Sequence, residues 1–219
     1  MKSCWAGKPE YSVPLPVRLV SFLKGSPARD VLDVGCGYGR ACFFLGENGF
    51  RAVGVDVDKA QIESAVEETE APEPHEVTHF MINDARNLCF PESSFDAATM
   101  LGLLTLASKP DRSRIIGEVY RVLRPSGIVF VEEFGRTWTN SVYAKRYRHD
   151  SKVTGEQCTF LVKDEGGNLL HFAHHFGRQE LYGLFRRFQI VAFEKDTFTS
   201  YLHRNWVKGY TIIARKEAE

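Results

Sequence analysis

The chain has 219 residues, of which 43% are hydrophobic and 26% charged, and this globular composition excludes a largely disordered protein. The length suits one α/β domain that carries a modest insertion. Lysine plus arginine equals aspartate plus glutamate at 28 residues each, so the basic excess of a typical duplex-DNA-binding protein is missing.

Residues 1–28 are expected to form an N-terminal cap, in which Trp5 and Tyr11 are candidate ligand contacts, although packing alone would explain both. From about residue 29, strand-like and helix-like segments alternate, which indicates a parallel sheet covered by helices on both faces. The predicted strands span residues 31–34, 51–57, 77–82, 95–101 and 128–132. The predicted helices span residues 40–47 and 59–68 and a segment from Pro110 to the turn at 125–127.

Residues 136–177 interrupt this alternation and are predicted to be an insertion. A polar, basic and aromatic stretch (137–152) is followed by two strand-like segments that flank Gly166-Gly167, a pattern typical of a β-hairpin. We expect the insertion to lie over the carboxyl edge of the sheet, where ligands bind in open α/β folds. The α/β pattern then resumes with a helix at 179–187 and strands at 189–193 and 208–214.

The turn between the first strand and the first helix contains Gly35, Gly37 and Gly39. Glycine allows a ligand to approach the main chain closely. A dinucleotide fingerprint places its third glycine three positions after the second, whereas Gly39 follows Gly37 by two. The spacing therefore disfavours a nicotinamide-dependent oxidoreductase.

Several motifs together carry a family resemblance. Residues 31–40, which read VLDVGCGYGR, closely resemble motif I of class I S-adenosylmethionine (SAM)-dependent methyltransferases. Gly54-Val55-Asp56 resembles the family's acidic residue that binds both ribose hydroxyls, and Asn83-Asp84-Ala85 resembles the acidic motif beside the adenine amino group. Segments 95–98 and 123–127 resemble the fourth strand and the turn before strand five, and the order matches from about residue 29 to 134.

The resemblance implies an α/β fold with a Rossmann-like, seven-stranded, mostly parallel sheet, helices on both faces and an antiparallel last strand. It implies one SAM-binding domain over residues 1–219, in which the insertion is a substrate lid, and a reaction that leaves S-adenosylhomocysteine. Asp58 is instead expected to cap a helix, and Asp96 to satisfy backbone groups. The residues expected to bind the cofactor are Asp33, Gly35, Cys36, Gly37, Gly39, Asp56, Val57, Asp84, Ala85 and Leu101.

Catalytic residues are harder to predict, because methyl transfer needs a base only when the acceptor must lose a proton. Glu132 and Glu133 end the fifth strand and are expected to face the pocket mouth, with a purely structural role as the alternative. His175 lies in a segment that resembles the family's entry to its last helix, near the acceptor. His171, His174 and His175 lack a carboxylate or thiol at clear ligand spacing, so no metal site is predicted.

The insertion supplies the remaining candidate substrate contacts, Trp138, Tyr143, Arg146 and Tyr147. Basic residues interleaved with aromatics suit an anionic ligand or single-stranded nucleic acid. The alternative is an amphipathic lid helix whose aromatic side chains pack inward and whose charges face water. The strand-four segment lacks the [DN]-P-P-[YFW] motif, which argues against the amino-methyltransferases of adenine, cytosine and glutamine.

The predicted function is methyl transfer from SAM to a small molecule or a protein side chain. RNA is the alternative acceptor, opposed by the zero net charge, and a catalytically silent SAM-binding partner protein is the alternative class. No duplex DNA and no membrane partner is expected. Five scattered cysteines without a C-x-x-C pair, and a start that lacks an apolar signal segment, predict a reduced, cytoplasmic location.

Overall fold

The computed structural model describes residues 13–69, 78–200 and 205–218, so Trp5 and Tyr11 lie outside the described residues. The helices are α1 (Val17–Leu23), α2 (Arg40–Glu47), α3 (Lys59–Thr69), α4 (Leu103–Leu106), α5 (Lys109–Val122), α6 (Ser141–Thr154) and α7 (Arg178–Leu184). The strands are β1 (Asp30–Val34), β2 (Arg51–Asp56), β3 (Thr78–Ile82), β4 (Phe95–Leu101), β5 (Leu123–Phe134), β6 (Thr159–Lys163), β7 (Leu169–His174), β8 (Phe188–Ser200) and β9 (Asn205–Lys216).

Seven of these strands form one sheet in the order β3-β2-β1-β4-β5-β9-β8. The pairs among β1 to β5 are parallel, whereas β9 runs antiparallel to both β5 and β8. The predicted sheet, with its reversed last strand, is confirmed. The strand order reverses direction between β1 and β4, and such a switch point opens a crevice at the carboxyl ends of the strands.

Helices cover both faces of the sheet, as predicted. Successive residues of a strand point to opposite faces, so Val31 joins the core beneath α1 and α2 whereas Leu32 joins the core beneath α5 and α7. The first core holds Leu19 of α1 and Leu45 of α2, both fully buried. Because β1 is buried on both sides, its short apolar run is typical of a central parallel strand.

The insertion packs against β8 and β9, with which it shares a small buried core. Strands β6 and β7 pair as the predicted hairpin, whose turn places Gly167 at a positive φ of 82°. Helix α6 begins at Asn140, whose side chain accepts a hydrogen bond from the Val142 amide. The two ends of the insertion meet, because Gly135 and Phe176 form a β-bridge, which the Phe176 amide extends by donating to the Phe134 carbonyl.

The structure differs from the sequence prediction at several boundaries. Helices α1 and α4 are short and were not predicted. Strand β5 begins at Leu123 rather than at residue 128, because Leu123 pairs with Phe95 before a tight turn in which Ser126 has a positive φ of 64°. Strand β8 continues past Phe193 through a polar stretch, since the backbone ladder with β9 does not require apolar side chains. Within the described ranges, no helix has the length and apolar character needed to cross a bilayer.

Candidate cofactor and acceptor site

The glycine loop (residues 35–39) connects β1 to α2 at the switch point of the sheet. Gly35, Gly37 and Gly39 have positive φ angles of 75°, 56° and 79°, a region that side-chain-bearing residues rarely adopt. A Cβ atom at Gly39 would lie 2.3 Å from Cζ of Phe80, and one at Gly35 would lie 2.8 Å from Cδ1 of Leu103. Backbone conformation and close packing therefore both require glycine here.

The Asp56 carboxylate stands at the end of β2, next to this loop. One oxygen accepts a hydrogen bond from the Gly37 amide at 3.0 Å, and the other accepts from the Asp58 amide at 2.9 Å. A carboxylate has about four acceptor positions, so two bonds fix its orientation and still leave capacity for a ligand. Asp58 itself caps α3 by accepting from the Ala60 and Gln61 amides, which confirms its expected role.

Asp33 is almost fully buried where β1 ends. The Thr99 hydroxyl donates to it at 2.5 Å and the Cys42 thiol lies 3.6 Å away. Burial raises the pKa of the Asp33 carboxyl to about 6, because these hydrogen bonds offset only part of the lost hydration. Asp96, by contrast, accepts hydrogen bonds from the Arg29 and Asp30 amides, as expected for a residue that satisfies backbone groups.

Asp84 follows β3 and is held by a neighbour that sequence reasoning missed. The Arg86 side chain and backbone amide both donate to Asp84, and the side-chain hydrogen bond lowers the pKa of the carboxyl. Arg86 also reaches Asp111 at the start of α5. The pair lies in a loop without a periodic pattern, so the sequence carries no signal for this role.

One cavity of about 490 Å³ joins this region to the insertion. Every predicted cofactor residue lines it except Gly39, which packs against Phe80. We call the part beside the glycine loop the cofactor end and the part beside the insertion the insertion end. The insertion end is lined by Phe134, Tyr143, Phe160, Val162, His171, Ala173 and His175.

Of the four candidate contacts in the insertion, Tyr143 alone is among the described residues that line the cavity. Tyr147 is fully buried behind it, and Trp138 packs edge-on against Tyr147 at 4.9 Å between ring centroids, with nearly half its surface exposed. Arg146 lies over the Phe160 ring at 5.5 Å. The arrangement matches the amphipathic-helix alternative, in which aromatic side chains pack inward.

The expectation that Glu132 and Glu133 face the pocket is wrong, since neither is among the described residues that line the cavity. Glu133 caps α4: it accepts from the Leu104 amide at 2.6 Å and from the Thr105 amide and hydroxyl at 3.0 and 2.7 Å. Glu132 points to the other face of the sheet, where one oxygen has no hydrogen-bond partner among the described residues. Burial raises the pKa of Glu132 to about 8 and that of Glu133 to about 7.

His175 is buried and lines the insertion end. Its Nδ1 lies 2.6 Å from the Tyr147 hydroxyl oxygen, and its ring stacks on Phe134 with a centroid separation of 5.6 Å. Phe160 meets the same ring edge-on at 4.9 Å. The structure thus gives His175 a fixed orientation at the cavity wall.

His174 points to the opposite side of β7, into a network of charges. Its Nε2 bonds Glu180 at 2.9 Å, and its Nδ1 lies 2.8 Å from the Thr159 hydroxyl, which itself donates to Glu156. Burial favours a higher pKa for Glu180, but the hydrogen bond and charge of His174 outweigh it and hold that pKa at about 2.

Two arginines complete this network. Buried Arg112 donates to both oxygens of Glu156 at 2.6 and 3.1 Å, and Arg136 donates to Glu180 at 2.7 Å. Glu156, His174 and Glu180 are close enough to hold a metal ion, with ligand atoms within 4.8 Å of one another. Because both carboxylates already bind arginines, this donor set is that of an ion-pair network, and it ties α5 to the insertion.

Comparison with known proteins extends these findings. A family model described as a methyltransferase domain matches residues 31–127. Among solved structures, a SAM-dependent methyltransferase from Methanosarcina mazei is 35% identical, with a TM-score of 0.84, and the match covers 88% of this chain and 94% of that chain.

Curated relatives match over shorter segments. The 2-methyl-6-phytyl-1,4-hydroquinone methyltransferase of Synechocystis is 32% identical over 111 residues, 50% of this chain and 33% of the relative. The 27-O-demethylrifamycin SV methyltransferase of Amycolatopsis mediterranei is 29% identical over 126 residues, 57% of this chain and 46% of the relative. The matched segments span less than half the length of either relative.

Proposed function

Because the chain belongs to the SAM-dependent methyltransferase family, we propose that it transfers the methyl group of SAM to a small molecule bound at the insertion end of the cavity. The observation that carries the proposal is the continuity of one cavity from the Asp56 carboxylate to the His175 ring. Its volume of about 490 Å³ falls within the ordinary range for ligand sites.

The residues at the cofactor end fit SAM. The remaining acceptor capacity of Asp56 suits two neighbouring ribose hydroxyls, and the glycine loop offers main chain that no side chain covers. Asp84 and Ala85, at the end of β3, would hold the adenine, and buried Asp33 would lie beside the amino-acid part. SAM supplies an electrophilic methyl group on a sulfonium, so the protein's task is to position the acceptor in line and exclude water.

The lining of the insertion end supports a small, largely apolar acceptor. Phe134, Tyr143 and Phe160 form aromatic walls, and Val162 and Ala173 complete them with aliphatic surface. Such walls suit flat organic rings better than a flexible, charged protein side chain. The relatives from Synechocystis and Amycolatopsis are named for small-molecule acceptors, which supports the same choice.

RNA is the alternative acceptor. The basic residues of α6 include Lys145 and Arg148, both exposed on the outer side of the helix, whereas Tyr143 and Tyr147 on the same helix are buried. An outward-facing charged surface does not reach the cavity, and the zero net charge gives little general attraction for phosphate. The predicted cytoplasmic location stays a prediction.

The proposal is tested by transfer of a labelled methyl group from SAM into native extract that is split into small-molecule, protein and RNA pools. We expect label in the small-molecule pool, and much less label with the Asp56→Ala variant at a SAM concentration near the wild-type Kd. Label in the RNA pool that disappears in an Arg146→Ala, Arg148→Ala double variant would establish RNA as the acceptor instead. Calorimetric binding of SAM without label in any pool would identify a catalytically silent SAM-binding protein and overturn the proposal.

A further inference from the structure

We propose that buried Asp33 carries a proton in the free protein in mildly acidic solution and gives it up to solvent when the ammonium group of the cofactor binds, so that cofactor binding is coupled to pH. The inference rests on the proposed function, because it concerns the cofactor end of the same cavity. It adds a response to acid that follows from one carboxyl group in the wall of that cavity.

Asp33 is a buried carboxyl group that has only uncharged hydrogen-bond partners. The residue is 2% exposed, the Thr99 hydroxyl donates to its Oδ1, and the Cys42 thiol lies 3.6 Å from its Oδ2. Within the described ranges, no arginine, lysine or histidine forms an ion pair with it. Burial removes the hydration that stabilises a carboxylate, so a buried charge without an ionic partner is costly.

The charged and titratable groups that face Asp33 come from α2, β2 and the glycine loop. Arg40 in α2 favours the ionised carboxylate, whereas Asp56 at the end of β2 opposes it. The thiols of Cys36 and Cys42 stay neutral, because burial raises the pKa of each. Burial of Asp33 outweighs the hydrogen bonds and the charge of Arg40, and it raises the pKa of this carboxyl to about 6.

The free protein can hold the proton without losing the hydrogen bond from Thr99. A neutral carboxyl group has one hydroxyl oxygen and keeps acceptor capacity on the other. A proton on Oδ2, beside the weakly bonding Cys42 thiol, leaves Oδ1 to accept from Thr99. The neutral form of Asp33 therefore fits the same packing as the ionised form.

The cavity places Asp33 where the ligand brings a positive charge. Asp33 lines the cofactor end together with Asp56, and the amino-acid part of SAM would extend from a ribose held by Asp56. An ammonium group within about 4–6 Å of a carboxyl group strongly favours its ionised form. The pKa of Asp33 therefore falls on binding, and the proton passes to solvent.

The direction of the pH dependence follows from the raised pKa of Asp33 in the free protein. Above pH 7 the carboxylate is already ionised, so binding costs no proton. As the pH falls through about 6, a growing fraction of the protein must lose a proton before the cation is favourable there. Between pH 7 and 5.5 we expect the affinity for S-adenosylhomocysteine to fall about fourfold.

The test is isothermal titration calorimetry with S-adenosylhomocysteine in pairs of buffers that differ in ionisation enthalpy. This product keeps the ammonium group, which stays charged below pH 7, and lacks the sulfonium charge. The difference in heat between the two buffers counts the protons released. We expect about half a proton per bound ligand at pH 6 and about one tenth at pH 7.

Methylthioadenosine is the matched control ligand, because it has the same adenine and ribose but no amino-acid part. It should bind to the wild-type protein without releasing a proton. Proton release that belongs to Asp56 or Asp84, at the adenosine contacts, would occur with both ligands. The difference between the two ligands therefore reports the group that faces the ammonium.

Three variants assign the proton to Asp33. Asp33→Asn is neutral at every pH, so it should bind S-adenosylhomocysteine more weakly and without proton release. Thr99→Val removes a donor that favours the ionised form, so the release at pH 7 should rise several-fold. The matched control is Glu132→Gln, since Glu132 is also a buried carboxyl with a raised pKa but is not among the described residues that line the cavity, and it should release as many protons as the wild type.

The outcomes distinguish the two proposals. Failure of S-adenosylhomocysteine to bind would contradict the proposed function itself. With normal binding, three results overturn the inference alone: no proton release at pH 6, equal release with methylthioadenosine, or undiminished release in Asp33→Asn. The comparison of the two ligands uses the wild-type protein, so it decides the matter if Asp33→Asn does not fold.

Discussion

The two ends of the cavity are built from different parts of the polypeptide. At the cofactor end, backbone conformation decides the shape, because Gly35, Gly37 and Gly39 adopt positive φ angles and Asp56 is oriented by main-chain amides. At the insertion end, side chains decide the shape, and Phe134 and His175 come from segments far apart in the chain. The cofactor end therefore tolerates few residue types, whereas many aromatic and aliphatic sets could build the insertion end.

This difference separates the two tasks of the molecule. A site made of backbone suits a ligand that never changes, and a site made of exchangeable side chains suits a ligand that differs between relatives. The insertion is attached to helix α5 by a particular contact, the ion pair between Arg112 and Glu156. Substitutions in the Arg112–Glu156 ion pair, at the cofactor end and on strand β5 test this division between the two ends of the cavity.

The largest expected effect is a loss of stability on breaking the Arg112–Glu156 ion pair. Arg112→Leu removes a guanidinium that is 2% exposed and leaves Glu156 without its main partner. Breaking a buried pair in this way costs about 3–5 kcal/mol of unfolding free energy, which denaturant titration would measure. We expect the affinity for SAM to stay close to that of the wild type, since no member of the network lies at the cofactor end.

The matched control is Arg114→Leu on the same helix. Arg114 is 69% exposed and its nearest carboxylate oxygen, on Asp111, is 3.8 Å away, so its loss should change the unfolding free energy by less than about 0.5 kcal/mol. An equal loss of unfolding free energy in the two variants would contradict the conclusion that Arg112 attaches the insertion to α5.

The next effect is at the cofactor end. Asp56→Ala removes the carboxylate proposed to bind two ribose hydroxyls, and the loss of charged hydrogen bonds should weaken SAM binding about a hundredfold. Asp56→Asn keeps one acceptor oxygen for a backbone amide and should give an intermediate affinity. Isothermal calorimetry with SAM measures both. Unchanged affinity in Asp56→Ala, with wild-type circular dichroism, would show that the ribose is bound elsewhere.

The smallest effect is expected from the neighbouring carboxylates of β5. The raised pKa of Glu132, about 8 when folded against 4.5 for the ordinary group, means that its neutral form stabilises the fold below pH 4.5. That stabilisation is lost as the pH rises towards about 8. Glu132→Gln is always neutral, so it should remove this loss and add about 1–2 kcal/mol of unfolding free energy at alkaline pH.

Glu133→Gln provides the contrasting case. The carboxylate accepts hydrogen bonds from the Leu104 amide and from two groups of Thr105, and an amide nitrogen cannot replace one of its oxygens as an acceptor. We expect a loss of about 1–2 kcal/mol of unfolding free energy in denaturant unfolding at the same alkaline pH, where both carboxylates are ionised. A shift of the same sign in both variants would show that the two buried carboxylates are not distinguished by their hydrogen bonds.

The cofactor end could be predicted from the sequence because its determinants are local. The three glycines, the strand that precedes them and Asp56 at the end of the next strand lie within a short stretch of chain. Each has a residue type that the geometry requires, as the 2.3 Å distance between a Cβ at Gly39 and Phe80 shows. The alternation of strands and helices likewise predicted the parallel part of the sheet, since its central strands are buried runs of apolar residues, whereas the antiparallel last strand followed from the family resemblance.

The insertion end could not be predicted in the same way. The bond between Tyr147 and His175 joins residues 28 positions apart, and nothing in their local sequence indicates the pairing. Glu132 and Glu133 were expected at the pocket because they end a strand, but alternation sends them to opposite faces, and α4, which captures Glu133, is only four residues long. A helix of that length has too few residues to show a hydrophobic period.

The bridge between Gly135 and Phe176 holds the two ends of the insertion next to each other, because the chain leaves the sheet and returns to it at adjacent positions. A segment whose two ends already touch can be exchanged for another of different length at a small entropic cost. The parent sheet keeps its strands, its register and the cofactor end of the cavity throughout such an exchange. Replacement of this one contiguous segment can therefore give the scaffold a different insertion end, and an engineer can graft a relative's segment between the same two residues.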